Sequence, residues 1–381
     1  MVNKKKILVI TGTRAEYGLL CPVMEEIEKS PKLSLLLLAT GMHTLKKHGH
    51  TGQIIKKDGW PLKWVVSVGE HDDMLESLAK EITGIRAKCI RVRPDFIVVL
   101  GDRDEALAGA LVGGHLGIPV AHIHGGETTG FSVDEHIRHA ITKFASLHFP
   151  ATARSYRNIT EKLGEEKWRV KLSGAPGLDG LKKISYLSRS ALSAELGLDM
   201  GKKWMILLLH PVVWEKTKPA RQMNNLLCAV SRFFSEKIVI YPNADTGGRE
   251  MIREIDRFSS RPGFHIFKNL ERRVFLSLLK NAELLAGNSS AGIIESSYFK
   301  LPVINIGPRQ QYREKGENIL DCDYGEQAIA RSVIHAMRPD FRKKCQKAKS
   351  SYGQGGAARA IVRSLEKNIN NPNLLKKKMY V

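Results

Sequence analysis

The amino-acid sequence predicts an α/β protein of two doubly wound, parallel-sheet domains facing a cleft. Three observations carry that expectation. Short apolar runs recur along the chain, each closed by a glycine or polar turn and followed by helical periodicity, as in strands buried on both faces. The rhythm stops at Ser173–Gly180 (SGAPGLDG), rich in glycine and proline, and then starts afresh. The length of 381 residues suits two domains of ordinary size.

Composition narrows the classes. A hydrophobic fraction of 43% is ample for two cores. The five cysteines are scattered and form no CxxC pair, which points to a reducing compartment and a cytoplasmic protein. The opening MVNKKKILVITG is too short in apolar residues for a signal peptide, and the longest apolar run, Leu33–Ala39, is far below membrane-spanning length. A net charge of +21 could serve nucleic acid, an acidic membrane or a phosphorylated small molecule. The basic residues are spread out, and no nucleic-acid motif accompanies them, so they read as solubilising surface that steers anionic substrates. Neither a nucleic-acid nor a membrane partner is expected.

In chain order, Lys6–Thr11 reads as the first strand, followed by a turn with Arg14 and a helix from about Ala15. Strand, glycine turn and helix make an anion site, because the free N–H groups of the helix start face the loop. The turn matches neither a Walker A nor a GxGxxG sequence, so neither ATP nor NAD follows. Leu33–Ala39 leads to a glycine turn with His43, and Leu62–Val68 is the third strand. A helix within Glu70–Arg93 precedes the strand Asp95–Leu100, which ends in Gly101-Asp102-Arg103. That acid and arginine could be an ion pair capping the helix Glu105–His115, or a catalytic carboxylate beside a phosphate-binding neighbour.

Pro119–Ile123 opens the richest stretch, Val120–Lys143, with Glu127, Asp134, Glu135, four histidines and Arg138 around a helix beginning near Val133. Acids at the carboxyl end of a parallel strand sit where ligands bind. The plainer reading is a solvated helix start whose acids complement the helix dipole. Leu147–Phe149 and Val170–Leu172 are expected to be the last short strands of this half.

In the second half, strands are expected at Trp204–Leu209, ending in His210-Pro211, and at Lys237–Tyr241, followed by Asn243. Further strands are Phe264–Phe267, Glu283–Ala286 and Pro302–Ile306, with helices from about Glu326 and a last helix within Gly356–Asn370. The boundaries predicted are 1–175 and 176–356, with 357–381 packing back on the first domain. Gly287–Gly292 (GNSSAG) offers small side chains, hydroxyls and free N–H groups, the chemistry a diphosphate needs. Glu295 could reach a ribose diol. The alternative is a serine-capped helix with an ordinary glutamate. Arg309 at the end of the next strand favours the nucleotide. His210 is a candidate proton carrier, and His48, His50, His71, His115, His265 and His335 read as surface or packing residues. His122, His124 and His139 lie near carboxylates, yet no metal-ligand spacing is present and no metal or other cofactor is expected.

These motifs occur in one order: TGTRAEYG, GDR, HIHGGE with the DEHIRHAITK helix start, LHP, GNSSAGIIES and PVINIGPRQ. Over nearly its whole length the chain resembles the hydrolysing UDP-N-acetylglucosamine 2-epimerases of bacterial sialic-acid synthesis. The resemblance implies two Rossmann-like halves of glycosyltransferase-B type and conversion of UDP-N-acetylglucosamine to UDP and N-acetylmannosamine through a glycal. It implies Asp102, Glu127 and Asp134 as catalytic carboxylates, with adjacent Glu135 the competitor for Asp134. It places His210 near the leaving diphosphate. It places Arg14, Asn243, Ser289, Ser290, Gly292, Glu295 and Arg309 on UDP, and His43, Arg103 and Arg138 near substrate. A homodimer or homotetramer is expected.

Non-hydrolysing relatives carry GTRPE near the start and a longer acidic loop. Ala15 in place of that proline, with a short loop, favours hydrolysis. Asp104 after GDR and Val213-Trp214 after LHP depart from the family pattern. They admit UDP-N,N′-diacetylbacillosamine as an alternative substrate. Glycosyl transfer on the same fold and a basic nucleic-acid-binding module are the competing classes.

Overall fold

The structure, a computed structural model, describes residues 4–45, 51–130, 133–181, 184–233, 235–243 and 246–378. His48, His50, Phe131, Ser132, Ala244 and Asp245 lie outside these residues. The chain divides into two compact units. The first comprises Met1–Thr128, Val133–Leu181 and Tyr352–Val381, and the second Thr129–Ser132 and Lys182–Ser351.

The first unit runs β1 (Lys5–Thr11), α1 (Arg14–Lys29), β2 (Leu33–Ala39), α2 (Gly52–Lys57), β3 (Leu62–Val65) and α3 (Met74–Val92). It continues with β4 (Phe96–Leu100), α4 (Asp104–Leu116), β5 (Val120–Ile123), α5 (Val133–Phe144), β6 (Leu147–Phe149) and α6 (Ala153–Arg157). All strand pairs are parallel, in the order β3-β2-β1-β4-β5-β6. The apolar runs are continuous because both faces of the sheet are covered. Ile7 and Val9 of β1 pack with Leu20, Met24 and Ile27 of α1, whereas Leu8 and Ile10 pack with Ile85 of α3 and Ala106 of α4.

Val170–Leu172 is not a strand. It lies beside β6, with Lys171 N donating to His148 O and Ser173 N to Pro150 O, but only His148 and Val170 form a bridge. Arg169, buried just before it, makes its contacts with the chain terminus instead.

The second unit comprises α7 (Arg189–Leu196), β7 (Lys203–Leu208), α8 (Pro219–Ser231), β8 (Ser235–Ile240), α9 (Gly248–Asp256) and β9 (Phe264–Phe267). Then follow α10 (Arg272–Asn281), β10 (Leu284–Gly287), α11 (Ala291–Ile294), β11 (Val303–Ile306), β12 (Ile319–Cys322), α12 (Glu326–Ala336) and α13 (Pro339–Lys347). Its order, β12-β11-β10-β7-β8-β9, repeats the topology of the first sheet, β7 standing for β1 and β10 for β4. The edge strand β12 is half-exposed and, like β3 at the edge of the first sheet, lacks the apolar run of the central strands.

The last helix, α14 (Ala357–Asn368), returns to the first unit and places Ala358, Ile361, Val362 and Leu365 in the core beside α1. Asp179 caps its start, accepting from the N–H groups of Ala357 at 3.0 Å and Ala358 at 2.6 Å. Near its other end, Glu366 bonds Ser30 at 2.5 Å. Among the described residues, no helix is long and apolar enough to cross a membrane.

Candidate active site

In a doubly wound sheet the strand order reverses at one point, and ligands bind outside the carboxyl ends of the strands there. In the first unit this point lies between β1 and β4. Arg14 is the first residue of α1 after β1. Asp102 and Arg103 follow β4, where Gly101 turns the chain at φ +82°. Glu127 follows β5, and Asp134 lies in the first turn of α5.

Arg138 organises this end. It is 1% exposed, and its guanidinium pairs with Asp102 on one side and with Glu135 at 2.9 Å on another. It also donates to the backbone carbonyl of Glu127 at 3.0 Å. Burial alone would lower its affinity for a proton, but Asp102, Glu127 and Glu135 together hold it firmly charged. One cation thus fixes three acidic positions from three chain segments. The other Glu135 oxygen takes His139 at 3.0 Å, so both oxygens of Glu135 serve the helix.

Glu127 is buried, and its Oε1 lies 2.7 Å from Nδ1 of His124. His124 itself sits at φ +64°, a left-handed conformation that is uncommon outside glycine. The Gly125-Gly126 pair that follows leaves no room for side chains: a Cβ on Gly126 would sit 2.5 Å from the Ser155 carbonyl oxygen. His122, beneath this turn, lies 2.7 Å from Gly101 O and 3.1 Å from Thr142 Oγ1, and burial pushes its pKa down to about 3. It is a neutral brace between β4 and α5. His43 is a brace of the same kind, buried between Thr11 at 3.2 Å and Thr51 at 2.8 Å, with its pKa lowered to about 4 by burial.

Beneath the β1–α1 turn lies a group that sequence reading missed. Glu16, Glu81 and Glu105 are all buried, and Arg103 Nε bonds Glu105 at 3.2 Å. A Cβ on Gly12 would fall 2.2 Å from the Glu105 carboxyl, so a side chain there would push that carboxyl aside. Burial, then the charge of Glu105, raises Glu16 well above the carboxylate range and Glu81 to about 8. Their signal in sequence is faint, since the three glutamates lie on three different helices, α1, α3 and α4, far apart in the chain. Among the described residues no group of His, Cys, Asp or Glu is arranged to hold a metal ion.

The second unit's reversal point, between β7 and β10, is built mainly from neutral groups, with Arg309 and Glu295 beside them. Gly287, at φ +154°, brings β10 so close to β7 that a Cβ would lie 1.9 Å from the Leu208 carbonyl oxygen. Asn288 then clasps the backbone of His210, accepting its N–H at 2.7 Å and donating to its carbonyl at 2.9 Å. The Asn288 carbonyl accepts from Arg309 at 3.2 Å and Gln310 at 3.0 Å. Asn288 and Gln310 are the hub that sequence reading passed over. Asn243 N–H donates to His210 Nδ1 at 3.0 Å, which leaves the proton of the neutral imidazole on Nε2. Ser290 precedes α11 and Glu295 follows it, the latter buried. Ser289 and Gly292 share a turn in which Gly292 N–H bonds Ser289 O, and a Cβ on Gly292 would press on Leu285 and Val303 at 3.2 Å.

Residues 25–366 match the family described as UDP-N-acetylglucosamine 2-epimerase. The chain belongs to that family. Over 92% of its length it is 36% identical to the UDP-N,N′-diacetylbacillosamine 2-epimerase (hydrolyzing) of Legionella pneumophila, covering 93% of that protein. It is 32% identical to the UDP-N-acetylglucosamine 2-epimerase of Neisseria meningitidis, with 97% and 96% of the two chains covered. The GDP/UDP-N,N′-diacetylbacillosamine 2-epimerase (hydrolyzing) of Campylobacter jejuni is 31% identical, with 99% of both chains covered.

Among solved structures, the Neisseria meningitidis enzyme bound to UDP-GlcNAc superposes with a TM-score of 0.83 at 19% identity, covering 95% and 100% of the two chains. Two doubly wound units on that fold agree with the strand pattern read from sequence. The protein is a hydrolysing 2-epimerase of this family, acting on a UDP-aminosugar.

Proposed function

We propose that the substrate of this epimerase is UDP-N,N′-diacetylbacillosamine, released as UDP and the free 2-epimeric sugar. The observation that carries this reading is the 36% identity to the Legionella pneumophila enzyme over 92% of the chain. A local feature supports it. Val213 and Trp214, three and four residues after His210, are 41% and 60% exposed. They offer apolar surface suited to a 6-deoxy methyl and a second acetyl group. UDP-N-acetylglucosamine, which the sequence motifs put first, is the second reading, supported by the Neisseria meningitidis relative. The free sugar would feed nonulosonic-acid synthesis, in line with the 31% identical polysialic acid biosynthesis protein P7 of Escherichia coli.

The chemistry follows from the sugar. The hydrogen on C2 is not acidic, since no carbonyl is attached to that carbon, so departure of UDP leads and positive charge builds at C1. The carboxylates of Asp102, Glu127 and Asp134 supply the negative field for it. Asp134 is taken as the third acid, with adjacent Glu135, which pairs with Arg138 and His139, as its competitor. A carboxylate takes the C2 proton to leave a glycal. Water then adds at C1, and a proton returns to C2 on the opposite face. On the leaving side, His210 with its proton on Nε2 donates to the diphosphate, beside the amide-rich turn after β10.

Turnover of the two UDP-sugars in deuterated buffer, followed by proton and phosphorus NMR, tests the reading. The expected result is a kcat/KM for the diacetylated substrate at least about tenfold higher, with deuterium at C2 of the released sugar. Equal or better turnover of UDP-N-acetylglucosamine would give the second reading the place of the first.

A further inference from the structure

The last described residues read in sequence as a basic tail, yet within the first unit Asn373–Lys377 is tied to the end of α5. Lys377 Nζ lies 2.7 Å from the carbonyl oxygen of Lys143, 2.8 Å from that of Ala145 and 3.3 Å from that of Thr142. These are the last carbonyls of α5 and the residue after it, which have no partner inside the helix. An ammonium there satisfies them and complements the helix dipole. Lys377 is paired at 2.8 Å with buried Glu165, which also bonds His148 at 3.2 Å.

Arg169 makes the second tie. It is 1% exposed and donates to the carbonyls of Asn373 and Leu374 at 2.8 Å and of Lys376 at 2.9 Å. It reaches Ser146 O, just past α5, at 3.2 Å and is itself held by Glu166 at 2.8 Å. The tail is therefore tied in place through one buried cation, Arg169, one partly buried cation, Lys377, and seven carbonyls. Glu165 is held at about 2: burial alone would raise it, and the bonds from His148 and Lys377 outweigh that.

The other end of the same helix carries Asp134, Glu135 and Arg138. Asp134 and Thr142 are eight residues apart, about 12 Å along a rigid rod. A shift or rotation of α5 at its last turn is transmitted along the helix to Arg138, which sets the place of Asp102 and the Glu127 backbone, and to Asp134 in its first turn.

We propose that the tail Asn373–Lys377 is a positioning device for α5, with Lys377 and Arg169 as positioning residues for the proton-transfer carboxylates. The proposal rests on the reading that Asp134 and the acids gathered by Arg138 do the chemistry. Neither residue touches substrate in this account. They act on rate by holding the helix.

The test compares full-length wild type, Lys377→Met and Lys377→Arg. It reads UDP-sugar turnover, UDP affinity by calorimetry, melting temperature and amide hydrogen exchange across 133–145. The expected result for Lys377→Met is a kcat about 10- to 100-fold lower, with KM and UDP affinity within about twofold and faster exchange in the last turn of α5. Lys377→Arg, which keeps the cation, should recover part of the loss. Arg169→Lys, which keeps charge but loses the fork to the tail carbonyls, should show the same split and serves if Lys377→Met does not fold. An unchanged kcat despite faster exchange overturns the proposal, as does a parallel fall of kcat, UDP affinity and melting temperature. A wild type without turnover removes the functional reading alone, because the exchange comparison still decides the clamp: unaltered exchange across α5 in Lys377→Met overturns it.

Discussion

The two reversal points share one topology and differ in chemistry. After β1 and β4 the first unit gathers charge: Arg138, Asp102, Glu135 and Glu127 in one web, with Glu16, Glu81 and Glu105 beneath it. After β7 and β10 the second unit gathers dipoles: the Asn288 amide, backbone N–H groups, two serines and a singly protonated imidazole. The same strand order therefore fixes where a site forms and leaves open what it does. Carboxylates suit a carbon that becomes positive, and amides with hydroxyls suit a diphosphate that is already negative.

That division can be broken by substitution, beginning with the acid. Glu127→Gln keeps shape and removes one of the proposed catalytic carboxylates, so kcat should fall at least about 1000-fold while UDP affinity stays within about twofold. Single-turnover kinetics and calorimetry give both numbers, and a variant with wild-type rate would end the assignment. Asn288→Ala acts on the other side. It frees the backbone of His210 and should weaken UDP binding by about tenfold, the cost of roughly one or two polar contacts. Calorimetry with UDP alone reads this without any turnover. A loss confined to kcat would place the Asn288 hub with the acids and dissolve the contrast.

The smallest effect sharpens the picture through pH. Glu81 titrates near 4.5 in the unfolded chain and near 8 in the fold, raised by burial first and by Glu105 second. A raised carboxyl pKa means that the folded state binds the proton more tightly. The stability it contributes is complete below about pH 4.5 and is lost as pH rises to about 8. Glu81→Gln removes that titration and keeps an acceptor for Thr40. Its melting temperature should match wild type at pH 5 and exceed it by on the order of 5 °C at pH 9. A difference that stays flat from pH 5 to 9 would show that Glu81 is not the proton-binding group.

The strands could be read from sequence because both faces of each sheet are covered, which makes β1, β4, β7 and β10 nearly unbroken apolar runs. Strand β12 escaped because an edge strand half in water needs no such run. Of the candidate site, the acids and the glycine turns stand out in the sequence by their types and places. The burial of charge does not. Arg138 finds Asp102 across 36 residues and Arg169 finds Leu374 across 205, and no local pattern announces either meeting. Lys377 looked like a solvated tail for the same reason.

The return of α14 to α1 has a consequence for synthesis. The first unit needs Tyr352–Val381 to complete its core, so its α1 face waits uncovered while Lys182–Ser351 is made. At translation speeds of about 5–20 residues per second, that wait lasts roughly 10–30 s, long enough for the second unit to fold first. The first unit therefore completes its α1 face only after the whole of the second unit has been made.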